Sequence, residues 1–457
     1  MNKLITARWS RSRTFRALLV LALLYAAVRL TVHGVTAAVM LAPSSDADGG
    51  LPTWASTGTP MLPVDLQIYV DAAERLHARA ELYPVEAKIE VFQYAPAFAL
   101  AFSPFLLLSA GPLVVVQSLL HVAAYVGLYM AWGRVFCRLG LTGAAEALAG
   151  SLPVWLVFSA FWSDLGYLNI YIITALVATL LIEAVLAERT GWALLWLSLI
   201  LQTKPHWAFA VVVPLLLGRY RFAFRLLGLA AIAYFGIIGL TMLLVEPTYV
   251  AEQYGAYVRF LTAMPSSFPW RGPNAPYLGY NHAIRQTVFY LFGLTRAASV
   301  AATWIKLLLL IPLVLISTRH ALRPIREPGH DMPGLALDLA FAWYLGVFIW
   351  LDMVWELSLG IALYAYLLGT IDRPWMKTLI RCVFLPYALI DVWQLLSVAV
   401  FGLDIVAPGL YVLTDPSIYV PMIMIVILTF YAILIWRRWT VTAVTNSAAL
   451  GATAYGS

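Results

Sequence analysis

Residues 17–41 read ALLVLALLYAAVRLTVHGVTAAVML: twenty-five positions with a single formal charge, Arg29. A helix needs about 20 mostly apolar residues to cross a bilayer. The run is too long for the core of a signal peptide, although the following Leu41-Ala42-Pro43-Ser44 resembles a cleavage site, so it reads as a retained helix. The rest of the chain repeats the theme. Of 457 residues, 62% are hydrophobic and 11% charged, against about 25% charged in soluble domains. The sequence predicts an all-α, polytopic membrane protein.

Further apolar segments lie at 111–133, 145–162, 169–188, 224–246, 299–318, 335–351, 357–371, 377–402 and 418–436. Two shorter ones, 191–203 and 206–218, form a hairpin around Lys204-Pro205, and counting both gives about twelve crossings. Positive charge orients them. With the N-terminus cytoplasmic, inner segments hold nineteen of the twenty-nine Lys and Arg residues, among them Arg134, Arg138, Arg323, Arg326, Arg437 and Arg438. Outer segments hold eight: Arg75, Arg79, Lys88, Lys204, Arg259, Arg271, Arg285 and Arg296. Both termini are therefore expected in the cytoplasm of a cell whose plasma membrane the chain crosses repeatedly.

Residues 94–109 are short for a span and carry Pro96 and Pro104; counting them would move Arg134 and Arg138 outside, so they read as an interfacial or half-inserted element. Residues 66–80 set Leu66, Tyr69, Val70, Ala73 and Leu76 at helical spacing opposite Asp71, Glu74 and Arg75, an amphipathic helix on the outer surface. The expected organisation is a cytoplasmic tail at 1–16, one transmembrane unit at 17–436 with a first outer loop at 42–110 and a long outer loop at 247–298, and a cytoplasmic tail at 437–457. No outer segment is long enough for a folded domain with a core of its own.

Several classes recede. Cys137 and Cys382 are far apart and near helix ends, giving neither a disulfide framework nor a thiolate site. The net charge of +6 follows membrane topology rather than a basic, aromatic patch, so nucleic acid is not an expected partner. His33 and His121 fall inside predicted helices, His320 and His330 on an inner loop, and the outer His77, His206 and His282 lack ligand-like spacing. No metal or other cofactor is expected.

The outer polar stretches carry a resemblance. Asp65-Leu-Gln-Ile-Tyr69, Leu82-Tyr83-Pro84 and Phe92-Gln-Tyr-Ala-Pro96, with Pro104 ahead of the next helix, resemble the first-loop signature of glycosyltransferase family 87, polyprenyl-phosphate-sugar-dependent enzymes of GT-C architecture. Gly166-Tyr-Leu-Asn169 sits where that family has a Gly-Gln-x-Asn turn. Leu201-Gln-Thr-Lys204-Pro205 resembles its Lys-Pro hairpin, and Gly279-Tyr-Asn281-His-Ala-Ile its Asn-containing element. One departure stands out: Trp355-Glu356 is followed by Leu357-Ser358 where family members often carry two histidines.

The resemblance implies inverting transfer of one sugar from a polyprenyl-phosphate donor to a glycan or glycolipid acceptor at the outer membrane surface. Mannose is the first expectation for the sugar, with arabinofuranose beside it. Asp65 is then the candidate general base, since a carboxylate at the surface can take the acceptor's proton; an Asp opening an amphipathic helix after Pro63 can equally be an N-cap. Lys204, Arg271 and Arg285 are candidates for the donor phosphate, and Lys204 can also be a snorkelling lysine at a helix end. Tyr69, Tyr94, Asp164, Asn169, Asn281, His282 and Glu356 are candidate substrate contacts. Aromatic belts and helix capping are the plainer readings of the tyrosines and of Asp164. A lipid-linked-sugar transporter is the alternative class, but it predicts two similar halves with paired broken helices, and the sequence has a single Lys-Pro hairpin.

Overall fold

The computed structural model describes residues 1–42, 61–83, 91–322, 332–401 and 415–454. Pro84, Lys88, Arg323, Arg326, His330 and much of the first outer loop lie outside the described residues. Within them the chain is all-helical. Five helices are long and apolar enough to cross a membrane: Arg13–Leu41, Ala110–Arg138, Tyr220–Leu244, Arg296–Ala321 and the stretch Met422–Thr440 of the last helix. Two bent pairs raise the number to seven, Thr142–Gly150 with Leu152–Tyr167 at 54° and Pro374–Ala388 with Ile390–Val400 at 49°.

The difference from twelve lies in the short apolar helices. Tyr171–Leu186 has 16 residues and Thr190–Thr203 has 14, about 24 and 21 Å of helix against a hydrocarbon core of about 30 Å. Pro205–Leu216, Gly334–Trp350 and Gly360–Thr370 are similarly short. Hydropathy reads a run of apolar residues without seeing where it is broken by a turn. Predicted span 145–162 is one such case, since it bends at Ser151 and again at Val157 and Phe158.

The long helices wear their apolar residues outward. In Arg13–Leu41, capped by Ser12 Oγ accepting from the Phe15 amide at 3.1 Å, only Phe15, Leu19 and Ala22 are buried. Leu18, Leu21, Leu24, Val28, Val35 and Val39 are exposed. A face of this size with no protein against it is a lipid-facing surface. The charge in the middle of this helix is turned inward: Arg29 grips Asp391 with both guanidinium edges, Nε to Oδ2 at 2.7 Å and Nη2 to Oδ1 at 2.9 Å, and the Tyr25 hydroxyl donates to the same carboxylate. A charge in hydrocarbon persists when it is paired in this way.

One end of the bundle is basic. Asp338 receives Arg437, Arg438 and the Tyr366 hydroxyl, the last at 2.6 Å, while Arg437 Nη1 also donates to Thr370 Oγ1 at 2.9 Å. Glu183 receives Arg138, and Arg134 at 3.3 Å. Helices Thr142–Gly150 and Gly360–Thr370 meet there backbone to backbone. A Cβ on Gly143 would stand 2.2 Å from the Gly369 carbonyl oxygen, so no other residue fits this crossing. The opposite ends of helices Tyr171–Leu186 and Gly360–Thr370, near Tyr171 and Gly360, carry the residues described next.

Two segments read as outer loop contain helix. The amphipathic helix runs Val64–His77, and Pro96–Phe102 continues as a 3-10 turn to Leu107, a short element as its prolines predict. In the long outer loop, Pro247–Ser267 is helical: Glu246 caps it by accepting from the Thr248 amide at 2.9 Å and the Tyr249 amide at 2.5 Å, with Pro247 at its first position. The final helix runs Met422–Ala454, carrying helix through most of the expected tail 437–457.

Candidate functional site

The Val64–His77 helix begins with Pro63 in the N-cap position. Asp65 is therefore the second helical residue and not the cap, and its carboxylate reaches another part of the chain: Asn169 Nδ2 donates to Asp65 Oδ2 at 3.0 Å. One turn on, Tyr69 follows on the same helix face. Its hydroxyl lies 3.2 Å from that of Tyr94 and donates to Asn169 Oδ1 at 3.3 Å. Asn169 thus ties the Val64–His77 helix to the Phe92–Pro96 segment.

Asn169 is held by an unusual turn. Leu168 ends the Ser159–Tyr167 helix in the left-handed region, φ 52° and ψ 44°, a conformation costly for a residue with a Cβ. The turn lets the Asn169 amide bond the Asp164 carbonyl at 3.1 Å. The Asp164 carboxylate then caps the next helix, accepting from Tyr171 at 3.1 Å and Ile172 at 3.0 Å. Asp164 is wholly buried, so its oxygens serve the turn. Beneath it His121 Nδ1 lies 2.7 Å from the Gln117 carbonyl, and Nε2 meets the Asn169 carbonyl with Asp164 Oδ2 at 3.6 Å.

Lys204 sits at the break between Thr190–Thr203 and Pro205–Val211. Its ammonium lies 3.5 Å from the ring centroid of Tyr171 and 5.3 Å from that of Tyr94. Burial pushes its pKa down to about 8, against the upward pull of Asp65, Asp164 and Glu356. Glu356 is held above the usual carboxylate range, first by burial and then by the Asp164 charge, while Ser163 and Lys204 pull the other way. One Glu356 oxygen, Oε2, is buried without a hydrogen-bond partner among the described residues.

Asp65, Tyr69, Tyr94, Asp164, Asn169, Lys204 and Glu356 therefore form one cluster of contacts and mutual fields at this end of the bundle. The remaining candidates occupy a second neighbourhood. Arg285 Nη1 pairs with Asp352 Oδ2 at 2.9 Å, and Lys306 binds the other oxygen of that carboxylate. Arg271 lies over Tyr277 at 4.2 Å. Asn281 is a clasp: Oδ1 accepts from Val354 at 3.0 Å and Ala283 at 3.1 Å, and Nδ2 donates to the Asp352 carbonyl at 2.9 Å. His282 Nδ1 accepts from the Ile423 amide at 3.1 Å, and burial lowers its pKa to about 4. Both residues fasten the 279–284 segment to its neighbours.

Tyr171, Ser163 and His121 enter the first cluster without having been singled out in the sequence. His121 does carry a sequence signal, an ionisable ring in an apolar helix four residues after Gln117. Among the described residues, no three His, Cys, Asp or Glu side chains converge as a metal site. Comparison with known proteins returned no matching family model, no matching curated sequence and no matching solved structure.

Proposed function

We propose that this chain is an integral membrane glycosyltransferase of GT-C type that moves one sugar from a polyprenyl-phosphate donor to a glycan or glycolipid acceptor, with inversion. The observation that carries the reading is the meeting of four sequence-distant motifs. Asp65 and Tyr69 of the first loop, Tyr94 of the Phe92–Pro96 segment, Asn169 of the turn and Lys204 of the hairpin touch in one continuous chain of contacts. In this reading the basic end faces the cytoplasm with both termini, and the Asp65 end faces outward.

The chemistry follows from the charges. The acceptor hydroxyl attacks the anomeric carbon, the bond from that carbon to the phosphate oxygen breaks, and the polyprenyl phosphate departs with the electron pair. Asp65, oriented by Asn169, takes the hydroxyl proton. Lys204 meets the leaving phosphate, a partly desolvated cation where negative charge develops. Glu356 stands within the field of the same lysine, in the segment where the resembling family has its histidines.

Membranes containing the protein should transfer label from polyprenyl-phosphate mannose, or from the arabinofuranose donor if the sugar is a pentose. General-base assistance is worth about 10²–10⁴ in rate, so Asp65→Asn should remove nearly all turnover while the protein still accumulates. Near-normal transfer by Asp65→Asn would sink the assignment of the base. Movement of intact donor across vesicles without transfer would favour a transporter.

A further inference from the structure

At the basic end, opposite Asp65, a cleft of about 400 Å³ opens between the N-terminal helix Asn2–Arg11, helix Thr142–Gly150 and the helices Gly360–Thr370 and Pro374–Ala388. Its walls carry Arg8, Lys377 and Arg381 against one carboxylate, Glu146. Part of the charge nearby is paired: Arg134 and Arg138 share Glu183, Arg219 meets Glu188, and Arg437 and Arg438 share Asp338. Among the described residues, Arg8, Lys377 and Arg381 take part in no ion pair, and Arg381 bonds the Tyr364 hydroxyl. Three cations have thus been gathered around a void instead of being matched with carboxylates.

The cleft is built. Lys377 and Arg381 are one turn apart on one helix face. Arg8 lies in a space made by a missing side chain, since a Cβ on Gly150 would stand 2.5 Å from Arg8 Nη1. Trp9, Trp375 and Trp439 are exposed at the same end, and exposed tryptophans beside Lys and Arg mark the depth of lipid headgroups. We infer that this cleft binds a phosphate-bearing anion, the headgroup of an anionic phospholipid whose acyl chains lie along the apolar helices. Arginine and lysine together supply directional and point-charge contacts to such a phosphate.

The test uses purified full-length protein and native mass spectrometry, with phosphatidylglycerol offered against phosphatidylcholine. Wild type should retain the anionic lipid preferentially. A basic residue near a lipid surface contributes enough that losing two should cut the preference about 30-fold, so Lys377→Gln/Arg381→Gln should approach parity. Gly150→Ala should weaken retention with no change of charge, by displacing Arg8. Arg221→Gln/Arg225→Gln removes equal charge from exposed positions at the same end and should leave the preference intact, with circular dichroism and gel filtration reporting folding. Binding of inorganic phosphate alone, with the same dependence on Lys377 and Arg381, would support the site and assign it to a soluble phosphate compound. No preference in wild type together with no phosphate binding would overturn the proposal, and so would an equal loss in the Arg221/Arg225 control.

Discussion

Asn169 and Asp65 are joined by a hydrogen bond of 3.0 Å across 104 residues of sequence. The amide also receives the Tyr69 hydroxyl, so a single side chain sets the direction of the carboxylate and the packing of the helix that bears it. Asn169→Ala should lower kcat/KM for sugar transfer by about 10², the usual cost of a small misplacement of a reacting group. The loss should fall mainly on kcat. A variant with normal kcat, or one that no longer folds in detergent while Asp65→Asn does, would show that the contact only holds the loop in place.

Lys204 gives a pH dependence with a definite sign. With its pKa lowered to about 8, the ammonium is charged below that pH and neutral above it. Donor phosphate binding should weaken as pH rises through about 8, and Lys204→Arg, which stays charged throughout, should shift that limb upward. A donor KM flat from pH 7 to about 9.5 would remove Lys204 from phosphate binding.

The sequence disclosed different parts of this arrangement unequally. The apolar runs marked most helices to within a few residues, because a lipid-facing helix must be apolar almost all round, as Leu18 to Val39 are. It could not separate a long run from a broken one, because the bends at Ser151 and at Leu389 interrupt apolar stretches whose nearby prolines, Pro153 and Pro386, have a counterpart in the unbroken span that carries Pro312. Helix Pro247–Ser267 was hidden for the opposite reason: its polar face made it resemble a loop, although Glu246-Pro247 is a readable start. In the site, Asp65, Tyr94, Asn169 and Lys204 stood out as polar residues in outer turns. Asn281 stood out equally, yet its atoms are spent on Val354, Ala283 and Asp352, whereas His282 accepts from Ile423 at Nδ1 and keeps a buried Nε2 without a partner among the described residues. Residue type cannot reveal which polar groups are already satisfied.

Asp338 should be a point of structural weakness. It is fully buried and receives Arg437, Arg438 and Tyr366. Asp338→Ala removes the carboxylate that Arg437 and Arg438 share, and breaking a buried network of this kind costs about 3–5 kcal/mol. The melting temperature of the detergent-solubilised protein should fall sharply. An unchanged value would mean that water reaches this end of the bundle.

Glu246 is expected to act locally. Its pKa is lowered by the Tyr249 and Thr248 amides it accepts from, so the cap is in force above the ordinary glutamate pKa of 4.5 and is lost as pH falls through the lowered value. Glu246→Ala should speed hydrogen exchange at Thr248 and Tyr249 at neutral pH and leave exchange near Asn169 unaltered. Exchange unchanged at both amides would mean that Pro247 starts the helix by itself.

The Arg29–Asp391 pair has a consequence for biosynthesis. The two residues are 362 positions apart, so on a chain made from its N-terminus Arg29 is synthesised long before its counter-ion exists. The first helix must wait at the translocon or in the lipid with an unmatched charge until the Ile390–Phe401 helix arrives. Closure of the ion pair is therefore a late event in maturation, and a truncated chain lacking Asp391 exposes an intramembrane arginine that quality control can read as unfinished.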